Sequence, residues 1–461
     1  MKNTLLHALI VIINLNSIHS QTFNMDTLQY KGDANKFINM VIMGDGYTAS
    51  EQDKFIQDAN RLSNYVLSQS PWINYNNYFN VFAIGVISAE SGAKHPNTAP
   101  DCNSSVPVSD PITYFGCSFD AYGIHRLIVP KNVSNIVNVL STHFPNYDQV
   151  LILSNTPYYG GSGGTFATST LDNSSPEITA HELGHSFAGL ADEYYAGDQY
   201  ARETFNMTKE TDPALVKWKN WLGYNQIGIY QNSGLWYRPH ENCKMRILNR
   251  PYCNVCSQTI IESIHSRVNP IVSYTPTNAS INTTARFIDF KLTELMKPEP
   301  NTLNIHWNLD GTEVASDIDS IELDQNNLTN GTHSLVVSVI DTSSLLRIDN
   351  HSTKHISLVS WTINKTITGI ELVNDSNQLE CSIYPNPATD VLNYSINLEK
   401  KSKVSVELVS TDGKVIQKLM KKTLDKGLYS NQLQIEKLIS GTYIMVFKIG
   451  EYVHTKSFIK L

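Results

Sequence analysis

The feature that most limits the fold of this chain is a change in its hydrophobic pattern near residue 270. Before that point, continuous apolar runs typical of buried strands, such as 37–43 and 149–154, alternate with segments of helical period. After it, helical periods disappear, and short alternating runs such as 287–292 and 334–339 follow one another between turn residues. The pattern predicts an α/β (α+β) domain first and small all-β sandwich domains after it.

The length of the chain agrees with this division into domains. A chain of 461 residues corresponds to about two to four domains. We expect a first domain over 21–268, an immunoglobulin-like β-sandwich over 269–370 and a third, alternating unit over 380–461, after a polar link near 374–376.

The net charge of −8 argues against nucleic acid as the main partner, because phosphate binding requires a basic surface.

Residues 1–20 are typical of a secretory signal peptide. Lys2 gives a positive start, residues 5–15 are nearly all apolar, and Ser20 supplies a small residue before the expected cleavage point. The apolar run is shorter than the roughly 20 residues that a membrane span needs, and no later stretch is apolar enough. We therefore expect an exported protein without a transmembrane span.

The six cysteines of an exported chain favour disulfides. Cys102 and Cys117 close a short loop and are the expected first pair. A second cluster consists of three cysteines with a histidine just before them: His240, Cys243, Cys253 and Cys256. That cluster has usable spacing for a structural zinc site, but the oxidising compartment favours a disulfide within it.

The segment His-Glu-Leu-Gly-His at 181–185 is an H-E-x-x-H pattern. On a helix, residues four apart lie on one face, so His181 and His185 can reach one ion. Glu182 is then placed to take a proton from a metal-bound water. The preceding Ser-Ser-Pro-Glu at 174–177 is typical of a helix start, which favours this interpretation.

A catalytic zinc needs three protein ligands and an open position for water. Gly189 can end the helix and turn the chain back, which brings Asp192 to the place where a third ligand belongs. Glu193 is the alternative ligand. Whichever of the two carboxylates does not bind the metal can instead accept a hydrogen bond from a ligand imidazole. We favour Asp192.

Several segments resemble motifs of the IgA-peptidase family of secreted, metzincin-like zinc metallopeptidases, and they occur in the same order as in that family. They are Gly-Asp-Gly-Tyr at 44–47, Phe-Asp-Ala-Tyr-Gly-Ile at 119–124, the run 181–195, and Asn-Cys-Lys-Met-Arg at 242–246 followed by Cys-Asn-Val-Cys at 253–256. The resemblance covers about residues 37–266. It implies a metzincin-like zinc peptidase domain with a long zinc-site helix and a methionine turn beneath the metal.

Carried over residue by residue, the resemblance implies four roles in the zinc site and one beneath it. The ligands are His181, His185 and Asp192, the general base is Glu182, and the methionine of the turn is Met245. The sequence departs from the usual H-E-x-x-H-x-x-G-x-x-H spacing, because its glycine and its third ligand candidate each come one residue later than the pattern requires.

The C-terminal unit resembles a type IX secretion sorting domain. The resemblance covers about residues 380–461 and rests on Tyr-Pro-Asn-Pro-Ala-Thr-Asp at 384–390, Asp-Gly-Lys-Val at 412–415 and Gly-Thr-Tyr-Ile at 441–444. It implies export across both membranes of a Gram-negative bacterium, with the type IX secretion machinery as partner. The protein would then be secreted or held at the cell surface, and the tail is normally removed.

Together these features predict a secreted zinc-dependent endopeptidase with Zn²⁺ as cofactor and extracellular proteins or peptides as substrates. The short strand Thr165–Thr168, just before the zinc helix, is expected to pair with an extended substrate by strand addition. One of three tyrosines, Tyr194, Tyr195 or Tyr252, could stabilise the oxyanion.

Two other classes of function stay open. A surface adhesin or glycan-binding protein would use the sandwich region 270–365 and carry a vestigial H-E-x-x-H, although the intact Glu182 and both histidines argue against it. A zinc amidohydrolase or esterase would use the same chemistry on a non-peptide bond.

Overall fold

The computed structural model describes residues 22–102, 105–195, 197, 200–365, 381–450 and 452–461. The predicted signal peptide and the predicted polar link at 374–376 lie outside the described residues. Within these ranges, the protein is a mixed α/β structure with many strands and few helices, as the change of pattern near residue 270 predicts. No helix in the described part is long and apolar enough to cross a membrane.

A six-stranded sheet forms the centre of the first domain. Its strands are β1 (Met25–Gln29), β2 (Ile38–Asp45), β3 (Phe79–Ile84), β4 (Gln149–Ser154), β5 (Gly161–Ser162) and β6 (Ala167–Ser169). They are ordered β1-β3-β2-β4-β6-β5. Strands β3, β2, β4 and β6 are parallel, and β1 and β5 are antiparallel to their neighbours. The predicted strands are thus confirmed, and they are continuous apolar runs because β2, β3 and β4 are buried along their whole length.

The helices are α1 (Gln52–Leu67), α2 (Val133–His143), α3 (Ser175–Ala188), α4 (Asn254–His265) and the short α5 (His351–Lys354). Short 3-10 helices lie at Ala49–Glu51, Trp72–Tyr78, Ala121–Gly123, Lys219–Trp221 and Gln325–Asn327. A capping box lies just before α1. The box is formed by Thr48 and Glu51, because a 3-10 turn precedes the helix and the Glu51 carboxylate reaches back to the Thr48 N–H at 2.9 Å.

Two hydrophobic cores lie on opposite faces of the sheet. Met40 and Ile42 of β2 belong to one core, which also contains apolar residues of α1, α3 and α4. Val41 and Met43, the alternate residues of the same strand, belong to the other core, which contains residues of α2. Because successive side chains of a strand point to opposite faces, α3 is held against the sheet by the first core.

A β-sandwich follows the first domain, as predicted. Two strands before it, β7 (Tyr230–Ser233) and β8 (Trp236–Arg238), pair as a hairpin. The sandwich strands are β9 (Ile271–Thr275), β10 (Ser280–Ile281), β11 (Phe287–Leu295), β12 (Leu303–Leu309), β13 (Thr312–Ser316), β14 (Ser320–Asp324), β15 (Gly331–Asp341) and β16 (Ser357–Lys365). They form one sheet of order β10-β16-β15-β12-β13 and another of order β14-β11-β9. Trp307 and Trp361 stack in its core with ring centroids 5.9 Å apart.

The C-terminal unit is a second all-β domain. Its strands are β17 (Cys381–Tyr384), β18 (Val391–Leu398), β19 (Ser402–Ser410), β20 (Val415–Leu424), β21 (Gly427–Gln434), β22 (Gly441–Ile449) and β23 (Tyr452–Lys460). They form sheets of order β17-β18-β21 and β20-β19-β22-β23. The buried positions of β18, β19 and β22 alternate, which is the pattern that predicted a half-buried sheet here.

The middle sandwich contacts the first domain through both polar and apolar side chains. Asp341, at the end of β15, is buried and accepts hydrogen bonds from the Tyr75 hydroxyl at 2.5 Å and from His265 Nε2 at 2.9 Å. Its other oxygen accepts from Thr302 Oγ1 at 2.7 Å. Met296 of the sandwich is a member of the core that holds α3. The sandwich therefore contributes to the packing of the first domain.

The predicted disulfide between Cys102 and Cys117 is wrong, since both are free thiols. Cys117 is buried against the sheet, where its backbone N–H donates to the Asp45 carboxylate at 2.9 Å. Cys102 lies instead beside Asp120, 3.2 Å from its Oδ1. The two segments are thus held by different partners, which sequence separation alone does not reveal.

Candidate active site

Helix α3 carries the H-E-x-x-H segment and is one of the most deeply buried elements of the described chain. It begins at Ser175 with Pro176 in its first turn, as predicted. It ends at Gly189, whose φ of +66° is the left-handed conformation that glycine adopts without strain. The N–H groups of Gly189 and Leu190 donate back to the last turn, so the chain reverses and runs alongside the helix.

The reversal brings Asp192 to the two histidines. The Asp192 Oδ1 atom lies 3.0 Å from His181 Nε2 and 3.2 Å from His185 Nε2. The two Nε2 atoms lie 3.1 Å from each other. Three potential ligand atoms thus converge on one point beside the helix.

Backbone carbonyls set the orientation of both imidazoles. His181 Nδ1 lies 3.0 Å from the carbonyl oxygen of Lys244, and His185 Nδ1 lies 2.6 Å from that of Leu190. A carbonyl can only accept, so each Nδ1 carries a proton and each Nε2 is directed at Asp192. Ligands about 2.0–2.2 Å from a tetrahedral zinc lie roughly 3.3–3.6 Å apart. The observed separations are close to that value, so the donor set fits Zn²⁺.

The electrostatics of the three groups agree with a cation-binding site. Burial raises the pKa of Asp192, but the hydrogen bonds and charges of both histidines outweigh it and lower that pKa below its usual range. Burial disfavours protonated His185, but the hydrogen bond and charge of Asp192 outweigh it and raise the pKa of His185 to about 9. The carboxylate therefore favours positive charge at this point.

Glu182 lies beside the histidines and lines a cleft of about 310 Å³. Its side chain is packed against β5, where a Cβ added at Gly161 would lie 3.1 Å from Glu182 Oε1. Burial raises the pKa of Glu182, and the charges of the two histidines oppose that rise. The carboxylate is thus accessible from the cleft but poorly solvated.

Of the three candidate tyrosines, Tyr194 lines the cleft. Its ring stacks on that of His181 with centroids 6.4 Å apart, and the Arg126 guanidinium lies 5.9 Å from the ring centroid. Tyr195 is 61% exposed, whereas Tyr252 is buried and donates its hydroxyl to the backbone carbonyl of Ala180. The arrangement favours Tyr194 as the tyrosine that faces a bound substrate.

The turn around Met245 supports α3 from below. A Cβ at Gly184 would lie 2.7 Å from Met245 Sδ, so the methionine packs directly on the helix between the two histidines. The Met245 carbonyl accepts from the Glu193 N–H at 2.8 Å. A buried ion pair of 2.5 Å between Lys244 and Glu177 holds the turn to the first turn of α3. This packing matches the position predicted for Met245.

Glu193 points away from the histidines into the cysteine cluster. It is 0% exposed, and its Oε1 accepts from Asn206 Nδ2 at 2.9 Å and from Cys256 Sγ at 3.0 Å. Two neighbouring carboxylates are thus directed into two different sites. The structure brings Asp192, and not Glu193, to the histidine pair.

The cysteine cluster is neither the disulfide nor the zinc site with His240 that the sequence suggested. Cys243 and Cys256 are free thiols with their sulfurs 3.6 Å apart, well beyond the roughly 2.05 Å of a disulfide. The predicted disulfide in this cluster is therefore wrong. His240 lies outside the cluster and accepts from the Asn242 N–H, while Glu193 occupies the fourth place.

Strand addition of a substrate at Thr165–Thr168 stays a prediction, and the observed pairing limits the residues available for it. The observed strand β6 covers Ala167–Ser169 and already has β4 on one side and β5 on the other. The edge strand is β5, and its Gly161 is bridged to Leu127 on its outer side. Thr168 and Ser169 are therefore paired on both sides, whereas Ala167 is paired with β4 alone.

Some contributors to the site were missed in the sequence. Arg126 lines the cleft beside Tyr194, and the carbonyls of Lys244 and Leu190 orient the two imidazoles. A single arginine has no local pattern, and backbone carbonyls carry no side-chain signal. Only the position of Arg126 shortly after the 119–124 segment could have drawn attention to it.

Comparison with protein-family models gives two matches. Residues 27–227 match the family described as IgA Peptidase M64, which includes α3 and Asp192. This match covers less than half of the chain and supports a peptidase domain over these residues. Residues 382–461 match the secretion system C-terminal sorting domain, so the tail is a type IX sorting domain and indicates secretion through that machinery. A search of curated proteins gives no match.

Three solved structures show only weak similarity to the chain. Dimeric latent PorU from Porphyromonas gingivalis aligns with a TM-score of 0.18 and 14% identity, over 41% of this chain and 20% of PorU. The fibronectin(III)-like modules of Clostridium thermocellum CbhA align with a TM-score of 0.15 and 12% identity, over 41% and 92% of the two chains. Bacteroides ovatus SGBP-B, in complex with a mixed-linkage heptasaccharide, aligns with a TM-score of 0.12 and 11% identity, over 41% and 70%. Scores this low support no argument about fold or function.

Proposed function

We propose that the protein is a secreted zinc-dependent endopeptidase that hydrolyses peptide bonds of extracellular proteins. The family match supports a peptidase, and the sorting domain supports secretion. The observation that carries the metal assignment is the convergence of His181 Nε2, His185 Nε2 and Asp192 Oδ1 within 3.0–3.2 Å of one another. These three residues would hold Zn²⁺.

Bound there, zinc would supply Lewis acidity that polarises the scissile carbonyl and lowers the pKa of a water towards about 7. The protein supplies the proton transfer. Glu182 faces the same cleft and is the group that takes the proton of the attacking water and passes it to the leaving amine. Burial favours this role, because a carboxylate whose pKa is raised towards the working pH is a more effective acid in the second step.

Two further groups would bind and orient the substrate. Tyr194 and Arg126 both line the cleft, and both can donate hydrogen bonds to a substrate carbonyl. The Lys244 and Leu190 carbonyls keep the imidazoles oriented while the substrate binds. The site thus holds a base, a set of metal ligands and oxyanion donors around one cleft.

The domain assignment follows from this function. We assign residues 21–268 to a metzincin-like catalytic domain, residues 269–370 to the sandwich domain and residues 380–461 to the sorting domain. The signal peptide at 1–20 directs passage through the inner membrane, and the tail directs passage through the outer membrane of a Gram-negative bacterium. The mature enzyme then acts in the medium or at the cell surface.

The variant Glu182→Gln tests the proposed chemistry. It should retain zinc, because the three ligand groups are untouched, and lose about 10²–10⁴-fold in peptide hydrolysis, the usual contribution of a positioned general base. Glu294→Gln, a change of the same type at an exposed position of the sandwich, is the matched control and should cleave like the wild type.

Cleavage is measured by mass spectrometry on a library of proteome-derived peptides, in parallel with small ester and amide substrates. Wild-type rates in Glu182→Gln would show that Glu182 is not the base. Turnover of esters or amides with no cleaved peptide would instead assign the zinc amidohydrolase or esterase class.

A further inference from the structure

A second cluster of metal-ligating side chains lies away from the catalytic residues, in the loops that precede α2. It consists of His95, Cys102, Asp120 and His125, whose ligand atoms all lie within 4.8 Å of one another. The Asp120 Oδ1 atom lies 2.9 Å from His125 Nδ1, 3.2 Å from Cys102 Sγ and 3.8 Å from His95 Nε2. None of these residues belongs to the proposed peptidase site.

His95 is the observation that points to a cation. Its side chain is almost completely buried, with 1% of the residue exposed, and its Nδ1 lies 2.9 Å from the carbonyl oxygen of Pro107. The carbonyl can only accept, so Nδ1 carries the proton and Nε2 is left with its lone pair. That Nε2 is buried and has no hydrogen-bond partner, yet it faces the Asp120 carboxylate. A buried acceptor aimed at a second acceptor is unfavourable unless a cation lies between them.

Asp120 is oriented to offer one oxygen to the cluster. Its Oδ2 accepts from the Thr98 N–H at 2.6 Å and from Thr98 Oγ1 at 3.3 Å. Its Oδ1 is therefore the oxygen that faces the other three groups. This division is typical of a carboxylate ligand held from outside, with one oxygen on the metal and the other on hydrogen-bond donors.

We propose that His95, Cys102, Asp120 and His125 form a second zinc site with a structural role. Two imidazoles, one thiolate and one carboxylate are the ligand types that zinc accepts in tetrahedral sites. The thiolate and the carboxylate together carry two negative charges, so a Zn²⁺ complex is neutral in this largely buried pocket. Four protein ligands leave no open position for substrate, which is the property of a structural site.

The site would stabilise one wall of the active cleft. Arg126 and Leu127 directly follow His125; the Arg126 carbonyl accepts from the Gly161 N–H at 3.2 Å, and Leu127 is bridged to the same glycine. Arg126 and Gly161 both line the cleft that holds Glu182. A metal bound at His125 therefore fixes the loop from which Arg126 reaches the substrate.

Zinc content of the full-length protein tests the proposal. After dialysis against metal-free buffer, Cys102→Ser should contain one equivalent of zinc less than the wild type. Cys381→Ser removes a buried thiol of the sorting domain and is the matched control, so it should keep the wild-type content. His125→Gln is the second ligand variant and should lose the same single equivalent.

Combination with Asp192→Ala separates this site from the proposed catalytic one. If the two sites are distinct, the double variant Cys102→Ser with Asp192→Ala should lose two equivalents. After replacement of zinc by Co²⁺, the thiolate-to-metal absorption should decrease in Cys102→Ser and stay unchanged in Cys381→Ser. Equal zinc content in the wild type, Cys102→Ser and His125→Gln would overturn the proposal, and it would leave the peptidase assignment intact because that rests on other residues.

Discussion

The third zinc ligand is the most discriminating prediction, because two adjacent carboxylates compete for the role in the sequence. Asp192→Ala should release the catalytic zinc, whereas Glu193→Gln should keep it. Asp192 Oδ1 lies within 3.2 Å of both histidine Nε2 atoms. Glu193 instead contacts Asn206 and Cys256, and Gln keeps its volume and one acceptor oxygen.

The expected difference can be estimated from these contacts. Loss of an outer partner of a ligand typically weakens metal binding about 10–100-fold. Asp192 supplies one of three ligand atoms and the only negative charge among them, so its loss should exceed that range. We expect at least ~10²-fold weaker zinc binding, which is about 2.7 kcal/mol at 1.36 kcal/mol per tenfold change. Glu193→Gln should change the affinity by less than about tenfold.

The assay is a competition titration with a chromophoric zinc chelator, together with metal analysis after dialysis. Circular dichroism of each variant establishes that the fold is retained. Retention of catalytic zinc by Asp192→Ala, with its loss from Glu193→Gln, would refute the reasoning and transfer the third-ligand role to Glu193. Retention by both variants would show that neither carboxylate is required.

Three further predictions concern packing and export. Asp341→Ala should lower the free energy of unfolding by about 3–5 kcal/mol in urea titrations, because it leaves several buried donors unpaired. The control is Glu313→Gln, which removes an exposed ion pair with His306 and should lower the free energy of unfolding by less than about 1 kcal/mol. Gly184→Ala should lower the thermal stability by about 1–3 kcal/mol and weaken zinc binding, because its Cβ would overlap the sulfur of the turn methionine. A protein ending at Ile370 should cleave peptides at the full-length rate in vitro but remain in the periplasm of its host; fractionation that finds it in the medium would show that the tail is not needed for export.

Local patterns in the sequence were sufficient for the elements that depend on near neighbours. Strands β2 and β4 are continuous apolar runs, and the alternating runs after residue 270 form the predicted sandwiches. The spacing of the two histidines on α3 and the glycine that ends it are properties of a few consecutive residues. Helix α2 was not among the predicted elements, since its apolar positions are interrupted by Ser and Asn.

Tertiary structure alone decided which partner each side chain meets. After the chain turns at Gly189, Asp192 is directed to the histidines and Glu193 to the distant cysteines. Cys102 was paired with Cys117 by sequence separation, but the fold places it beside Asp120 instead. Spacing along the chain determines which groups share a helix face, whereas contacts between distant segments depend on how the whole core packs.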